Sequence, residues 1–220
     1  MHDTPAILRA IFDALYRAYG PQHWWPGESR IEIAVGAILT QNTNWTHVEK
    51  AMAYLRSAGL LDWKALREID AAPLAELIRP CGYYRVKARR LKNFVEWLWR
   101  NCDGDLDALK QKNLAVAREA LLSVNGIGPE TADSILLYAV GHATFVVDAY
   151  TARVARRHRL IDEAAGYDAL KSVFEDNLES DAEVYNEYHA LLVAVGKRHC
   201  RPRARCEGCP LEGFDHDSDA

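Results

Sequence analysis

The sequence is short of cysteine, of long apolar runs, of strand-forming segments and of any strong charge imbalance. Each shortage removes a class of reading. Five cysteines in 220 residues, three of them crowded at Cys200, Cys206 and Cys209, do not form a disulfide framework. An odd, clustered set reads instead as metal ligands or reduced thiols. Cys81 and Cys102 stand alone and read as buried structural thiols. No apolar run approaches the ~18–20 residues that cross a bilayer, so no membrane partner is expected. The opening MHDTPAILRAIF lacks a basic segment followed by a small-residue cleavage site, so a cytoplasmic address is expected. Only Phe145-Val146-Val147 resembles a strand, and it is too short to pair.

The net charge of −4 argues against a polyanionic partner, but the distribution argues for one. Basic residues gather in Arg79, Arg85, Lys87, Arg89, Arg90 and Lys92, and again in Arg153, Arg156, Arg157 and Arg159. A third run holds Lys197, Arg198, Arg201, Arg203 and Arg205. Acids collect elsewhere, over 175–187 and 207–219. A phosphate backbone responds to the local patch and not to the sum; the competing explanation is solvated helix faces.

What is present in quantity is helical signal. Thr4 before Pro5 reads as a cap and first turn, and Gly20-Pro21 as a stop. Asn44 precedes a helix whose Val48, Met52 and Leu55 share a face before Gly59 ends it. Short helices are expected over 62–66 and 73–78, a longer one over 84–100, and others near 113–122, 130–140, 148–158, 166–178 and 181–198. The expected fold class is all-α.

One segment carries chemistry. Leu122-Ser-Val-Asn125-Gly126-Ile127-Gly128-Pro129-Glu130-Thr131-Ala132 joins two helices, with two glycines around an aliphatic plug. Bare glycines let backbone N–H groups approach a ligand, and a helix starting at Pro129 offers its positive end to an anion such as phosphate. A G-x-G turn alone is common. Here Val146-Val147-Asp148 follows, with Asp148 eighteen residues beyond Glu130, and then Arg153-Val154. An aspartate opening a helix is by itself most simply an N-cap. Together, however, the hairpin and the Asp148 segment resemble the helix-hairpin-helix DNA glycosylases of the endonuclease III superfamily. Their hairpin L-x-x-G-[IV]-G is followed at this distance by V-D-x-x-x-x-R-V. The likeness covers nearly the whole chain and includes Ile38-Leu39-Thr40-Gln41-Asn42-Thr43.

The resemblance implies two helical lobes with a DNA cleft between them. Residues 22–128 would form one lobe, and 1–21 with 129–220 the other, so that Asp148 and the hairpin face each other. It makes Asn125, Gly126, Ile127, Gly128, Glu130 and Thr131 the phosphate-binding hairpin and Asp148 the catalytic carboxylate. A fixed carboxylate stabilises the oxocarbenium-like charge that builds when an N-glycosidic bond breaks, and can orient a water. Members that also cut the strand carry a lysine where this chain has Glu130, and a carboxylate cannot form the Schiff base. A monofunctional glycosylase is therefore expected, unless an amine arrives from elsewhere in space.

His23-Trp24-Trp25-Pro26 and Gln41-Asn-Thr-Asn-Trp45 resemble the 3-methyladenine branch of these proteins. That likeness implies a base pocket of Trp24, Trp25, Pro26 and Trp45, with Gln41 inserted into the duplex gap. N-alkylated purines are cationic, leave readily and suit indole faces, at about 0.5–2 kcal/mol per ring, and a damaged base is easier to extrude. The bland alternative is that the tryptophans staple the N-terminal segment to the core.

Cys200-x5-Cys206-x2-Cys209 resembles the end of the family's C-x6-C-x2-C-x5-C, which ligates a [4Fe-4S] cluster. It departs twice. The first gap is one residue shorter, and the fourth position is Asp215, with His216 beside it. A cluster with a non-cysteine fourth ligand, a degenerate site packed without iron, and zinc all stay open. Lys197 reads either as a structural substitute for a lost cluster or as facing phosphate. The expected partner is double-stranded DNA bearing a damaged base, and the expected setting a cytoplasmic, nucleoid-associated monomer. Two other readings compete: a glycosylase for oxidised or mismatched pyrimidines, and a non-catalytic DNA-binding module.

Overall fold

In the computed structural model, residues 3–217 are described, and among them there is no β-strand. Twelve α-helices follow one another: α1 (Thr4–Tyr19), α2 (Arg30–Leu39), α3 (Trp45–Ser57), α4 (Trp63–Glu68), α5 (Ala71–Leu77), α6 (Tyr84–Cys102), α7 (Asp107–Lys110), α8 (Leu114–Leu122), α9 (Pro129–Ser134), α10 (Ala149–Arg157), α11 (Tyr167–Glu175) and α12 (Ala182–Arg198). A 3₁₀ turn occupies Arg79–Cys81, and a π-helical segment, Ile135–Val140, continues α9. Phe145-Val146-Val147 is extended but unpaired.

Local chemistry sets the helix starts. Asn44, Asp62, Asn113, Asp148 and Asp181 each accept a backbone N–H of the first turn behind them, satisfying donors that a helix leaves orphaned. At α1 the cap is Asp3, which accepts from the Ala6 N–H at 3.3 Å, so Thr4 lies inside the helix and not ahead of it.

The chain folds as two compact units. One joins the residues through Trp24 to those from Ala143 onward, and the other is Trp25–His142. The sequence-based division ended the latter unit at residue 128; in the structure, residues 129–142 belong with it. The reason is apolar. Ala132, Ile135, Leu136, Ala139 and Val140 are all buried, in one core with Ala34, Val35 and Ile38 of α2. Burying each such aliphatic side chain contributes about 1.5–3 kcal/mol, except for the smaller alanines.

In the Trp25–His142 unit α2 is the central element, buried along most of its length, with α6 packed on α2, α4 and α5. In the other unit α12 packs against α1 and α10. Phe145 stacks flat on Phe174 at 4.1 Å, and both rings meet Tyr188 edge-on. The Tyr188 hydroxyl donates to the Leu8 carbonyl at 2.8 Å, which joins α12 to α1. Among the described residues no helix is long and apolar enough to cross a membrane.

Two basic runs are partly internal. Lys87 is 1% exposed and donates to the carbonyls of Leu39 (2.9 Å) and Cys81 (2.8 Å). Lys92 donates to Leu66, Arg67 and Ile69 carbonyls, tying down the end of α4. Arg157 is buried and holds the carbonyls of Arg201 and Pro202. These three cations are used by the protein itself. Arg79, Arg85, Arg89 and Arg201 are on the surface.

Candidate functional site

Asp148 closes an extended segment that is clamped before it reaches the helix. The Phe145 N–H donates to Glu175 Oε1 at 2.7 Å, and Val146 and Val147 are buried. Asp148 Oδ1 then accepts the Thr151 N–H at 2.8 Å as the N-cap of α10, so the plain capping role is real. The other oxygen has a second neighbour. His189 Nε2 of α12 stands 3.7 Å from Asp148 Oδ2. Burial, the largest influence, holds the His189 imidazole below its ordinary pKa; Lys197 acts in the same direction and Asp148 in the opposite one. The ring is therefore neutral near pH 7. Gly196 makes this meeting possible, because a Cβ there would lie 2.6 Å from the Tyr150 ring, so α10 and α12 approach closely only with glycine at this point.

Trp24 joins the same group. Its carbonyl accepts from Asn186 Nδ2 at 2.8 Å, and the Gln22 N–H donates to Glu187. The indole lies 6.4 Å from the His189 ring, and Lys197 Nζ stands 5.8 Å from the indole centroid. Asn186, His189, Gly196 and Lys197 recur at helical spacing along one side of α12. One face thus carries an aspartate, a neutral imidazole, an indole and an exposed ammonium. Sequence reading placed Lys197 with phosphate or with the cysteine tail and overlooked His189, which looks in the sequence like one polar residue in an apolar helix.

Trp25 and Trp45 belong to the other unit. Their centroids are 5.2 Å apart at 89°, and Tyr138 lies 5.2 Å from Trp25 on the π-helical segment. Gly36 leaves the room that the Trp25 indole fills against α2, since a Cβ there would stand 3.3 Å from its Nε1. An edge-to-face pair in direct contact has no slot for a base between its rings. The expected sandwich by these two is therefore replaced by an aromatic wall of Trp25, Trp45 and Tyr138. Tyr138 gave no sequence signal beyond being an aromatic in an apolar run. Pro26 is exposed beside them.

The hairpin is built in the Trp25–His142 unit. Gly126 has φ +99°, and a Cβ on it would sit 2.3 Å from Arg90 Cγ, so glycine is required there twice over. Ile127 is buried as the expected plug. Gly128 has an ordinary φ of −98° and open space in front of it, so nothing in this chain demands glycine at that position. The Asn125 carbonyl accepts from Asn93, Thr131 is buried and Glu130 is exposed.

Gln41 is hydrogen-bonded to the hairpin in this structure. Its Nε2 donates to the Gly126 carbonyl at 3.0 Å and to Thr131 Oγ1 at 2.9 Å, while Arg90 donates to its Oε1. Gln41 fastens the end of α2 to the hairpin. Tyr83 is 73% exposed with a left-handed φ of 45°, just after Gly82 at φ 65°. A bulky residue held in that region stores backbone strain, which clusters at ligand-contacting positions.

The three tail cysteines come together. Cys200, Cys206 and Cys209 line one cavity with Arg157 and His216. Burial raises the Cys209 thiol pKa, and the neighbouring Cys200 and Cys206 push the same way. Arg157, itself buried, donates to Cys200 Sγ at 3.4 Å. Three sulfurs lining one cavity beside a buried cation have the donor chemistry of a soft metal site. Among the described residues, no three His, Cys, Asp or Glu side chains converge closely enough to hold a single metal ion.

Residues 35–180 match the family described as HhH-GPD superfamily base excision DNA repair protein. A proposed DNA repair glycosylase of Methanocaldococcus jannaschii is 48% identical over 209 residues, covering 94% of this chain and 95% of that one. Among solved structures, an H. pylori 3-methyladenine DNA glycosylase bound to 1,N6-ethenoadenine is 31% identical, with a TM-score of 0.77 over 90% of this chain and 98% of that one. A non-covalent endonuclease III–DNA complex aligns with a TM-score of 0.83 over 96% of this chain and 94% of that one, at 19% identity, a likeness of fold.

Proposed function

The chain belongs to the HhH-GPD superfamily of base excision DNA repair proteins and is a DNA glycosylase, and we propose that it excises alkylated purines of the 3-methyladenine type without nicking the strand. The observation that carries the substrate class is that an indole, Trp24, and the Asp148 carboxylate both approach His189 of α12, at 6.4 Å and 3.7 Å. An electron-rich ring beside an unneutralised carboxylate suits a cationic base attached to a sugar about to become cationic. The relative that binds 1,N6-ethenoadenine is named for 3-methyladenine and supports the same choice.

In this reading the hairpin N–H groups at Gly126–Gly128 take a backbone phosphate of double-stranded DNA, and the open space at Gly128 is where it approaches. Tyr83 is read as stacking in the gap in place of Gln41, on the strength of its exposure and its strained backbone. The damaged nucleotide turns out of the duplex. The N-glycosidic bond breaks with its electron pair leaving on the already cationic purine, so no strong general acid is needed. Asp148 stabilises the positive sugar and orients the water whose oxygen bonds to the anomeric carbon, the water's proton passing to the carboxylate or to solvent. His189, buried and neutral, stands 3.7 Å from the carboxylate and does not neutralise it. Lys197 lies over Trp24 and must turn aside for a cationic base, which its exposed, flexible stem allows.

Cys200, Cys206 and Cys209 are read as holding a [4Fe-4S] cluster, which when bound supplies a redox-active brace for the C-terminal segment. The implied setting is a monomer in the nucleoid-associated cytoplasm.

The test is release of free base from methylated DNA, beside duplexes with oxidised pyrimidines and G·T mismatches. Release confined to the pyrimidine substrates would overturn the alkylpurine reading. DNA binding without release from any substrate would favour a binding module. Abasic-site DNA with borohydride tests the absence of strand cleavage. A trapped adduct in the wild type that vanishes in Lys197→Gln would show that this amine replaces the lysine missing at Glu130.

A further inference from the structure

Thr151 carries a hydroxyl that the fold does not use. The residue is 0% exposed, and its Oγ1 is sealed from solvent with no hydrogen-bond partner among the described residues. We propose that Thr151 is a positioning residue for base release: with substrate bound, its hydroxyl donates to Asp148 Oδ1 and leaves Oδ2 to face the sugar. This rests on reading Asp148 as the catalytic carboxylate, as above.

Position makes Asp148 the acceptor. Thr151 is the third residue of α10, and its backbone N–H already holds Asp148 Oδ1 at 2.8 Å. Only Cα and Cβ separate that nitrogen from the hydroxyl oxygen, and helical side chains lean toward the N-terminus, here toward Asp148. A helical threonine also divides between two χ1 rotamers, so its hydroxyl can change partner while the backbone stays fixed. A carboxylate oxygen that accepts both the N–H and the O–H is held in place by two bonds. The second oxygen is then the one left to meet the positive sugar and the attacking water.

Other helices of the chain show that capping does not need this hydroxyl. At α4, α8 and α12 the residues in the same place are Ala65, Val116 and Val184. Each gives its N–H to the capping side chain of Asp62, Asn113 or Asp181 and has no hydroxyl at all. Hydroxyls elsewhere on the helices are satisfied locally: Thr40 and Ser134 each donate to the carbonyl four residues back, at 2.7 Å. Thr151 Oγ1 makes no such bond. A buried polar group without a partner costs free energy that valine, of nearly the same shape, would not. Such a cost is retained where activity opposes stability, and the residue that bears it here adjoins the carboxylate on which the chemistry turns.

The experiment uses the full chain. Thermal midpoint, DNA affinity and single-turnover base release are measured for wild type, Thr151→Val, Thr151→Ser, Asp148→Asn and the Thr151→Val, Asp148→Asn double variant. The substrate is methylated DNA, or whichever duplex of the panel above the wild type acts on. Thr151→Val is expected to melt no lower than wild type and up to about 2–4 °C higher, because it removes a buried unpaired hydroxyl. Its base release should slow about 10- to 100-fold, the worth of a hydrogen bond to a charged group, while DNA affinity stays within about twofold. Thr151→Ser restores the hydroxyl and should recover most of the rate. Once Asp148→Asn has removed the charge, adding Thr151→Val should slow release by less than about threefold, since the hydroxyl acts through the carboxylate. If Thr151→Val fails to fold by circular dichroism, Thr151→Ala takes its place in the comparison of rates with Thr151→Ser. Release by Thr151→Val as fast as wild type would overturn the assignment. So would a variant that loses stability and rate together and is not rescued by Thr151→Ser, which would mark a packing role. Wild-type release that Asp148→Asn leaves unchanged would instead overturn the reading of Asp148 on which the assignment rests.

Discussion

Asp148 divides its two oxygens between two tasks: Oδ1 caps α10 through the Thr151 N–H at 2.8 Å, and Oδ2 stands 3.7 Å from His189 Nε2. Structure and chemistry therefore meet in one side chain and can be separated by substitution. Asp148→Asn keeps an amide oxygen that caps well, so thermal stability should change by no more than about 0.5 kcal/mol. The lost charge should slow base release by a factor of about 10²–10⁴. Asp148→Ala should lose both, costing about 1 kcal/mol more. Melting curves beside single-turnover base release check this, and an active Asp148→Asn would remove the carboxylate from the mechanism.

Stability should fall as the pH is lowered through the histidine range. Burial sets the pKa of His189, and of His158, below the ordinary 6.5. Above 6.5 both states are neutral and nothing changes. As the pH drops below it the unfolded chain takes protons first, and stability is lost until the lower folded values are reached. Denaturant midpoints between about pH 7.5 and 5 should show this decline, flattened in His189→Gln. A pH-independent midpoint would mean that neither histidine is held neutral.

The two hairpin glycines should respond differently. Gly126→Ala places a Cβ in a left-handed conformation and against Arg90, so a cost of about 1–3 kcal/mol is expected. Gly128→Ala meets nothing in the protein and should alter stability by less than about 0.5 kcal/mol. If a phosphate approaches there, its DNA affinity should drop several-fold, with a salt slope shallower by about 1. Unchanged affinity in Gly128→Ala would remove the hairpin from the DNA contact.

Lys87 tests whether its basic run serves DNA or the fold. Lys87→Met leaves the carbonyls of Leu39 and Cys81 without their donor and should cost about 1–3 kcal/mol. DNA affinity of the folded fraction should not change. An affinity loss without destabilisation would return Lys87 to the DNA surface.

Some of this was legible because it is local. Capping residues, apolar spacing and glycine–proline punctuation act within a few positions, so the all-helical class and most helix starts could be read directly. The hairpin and Asp148 carry a fixed spacing, and that spacing is what made the family resemblance recognisable. The misreadings arose where a side chain's partner is remote in sequence. Gln41 looked free to insert until Gly126 and Thr131 came to it. Lys87 looked like a surface cation until two carbonyls enclosed it.

By itself the sequence determined the helices, the glycines at the hairpin, the carboxylate at the head of α10 and the loss of the lysine at Glu130. Each depends on covalent geometry or on neighbours within a turn. Only the tertiary structure decided that Trp24 keeps company with His189 and Lys197, while Trp25 packs on Trp45 and Tyr138 in the other unit. It also decided that His216 lines the cysteine cavity while Asp215 pairs with Arg159 at the surface. Those choices turn on which buried surfaces meet, a balance of packing and desolvation over the whole chain that no local pattern encodes.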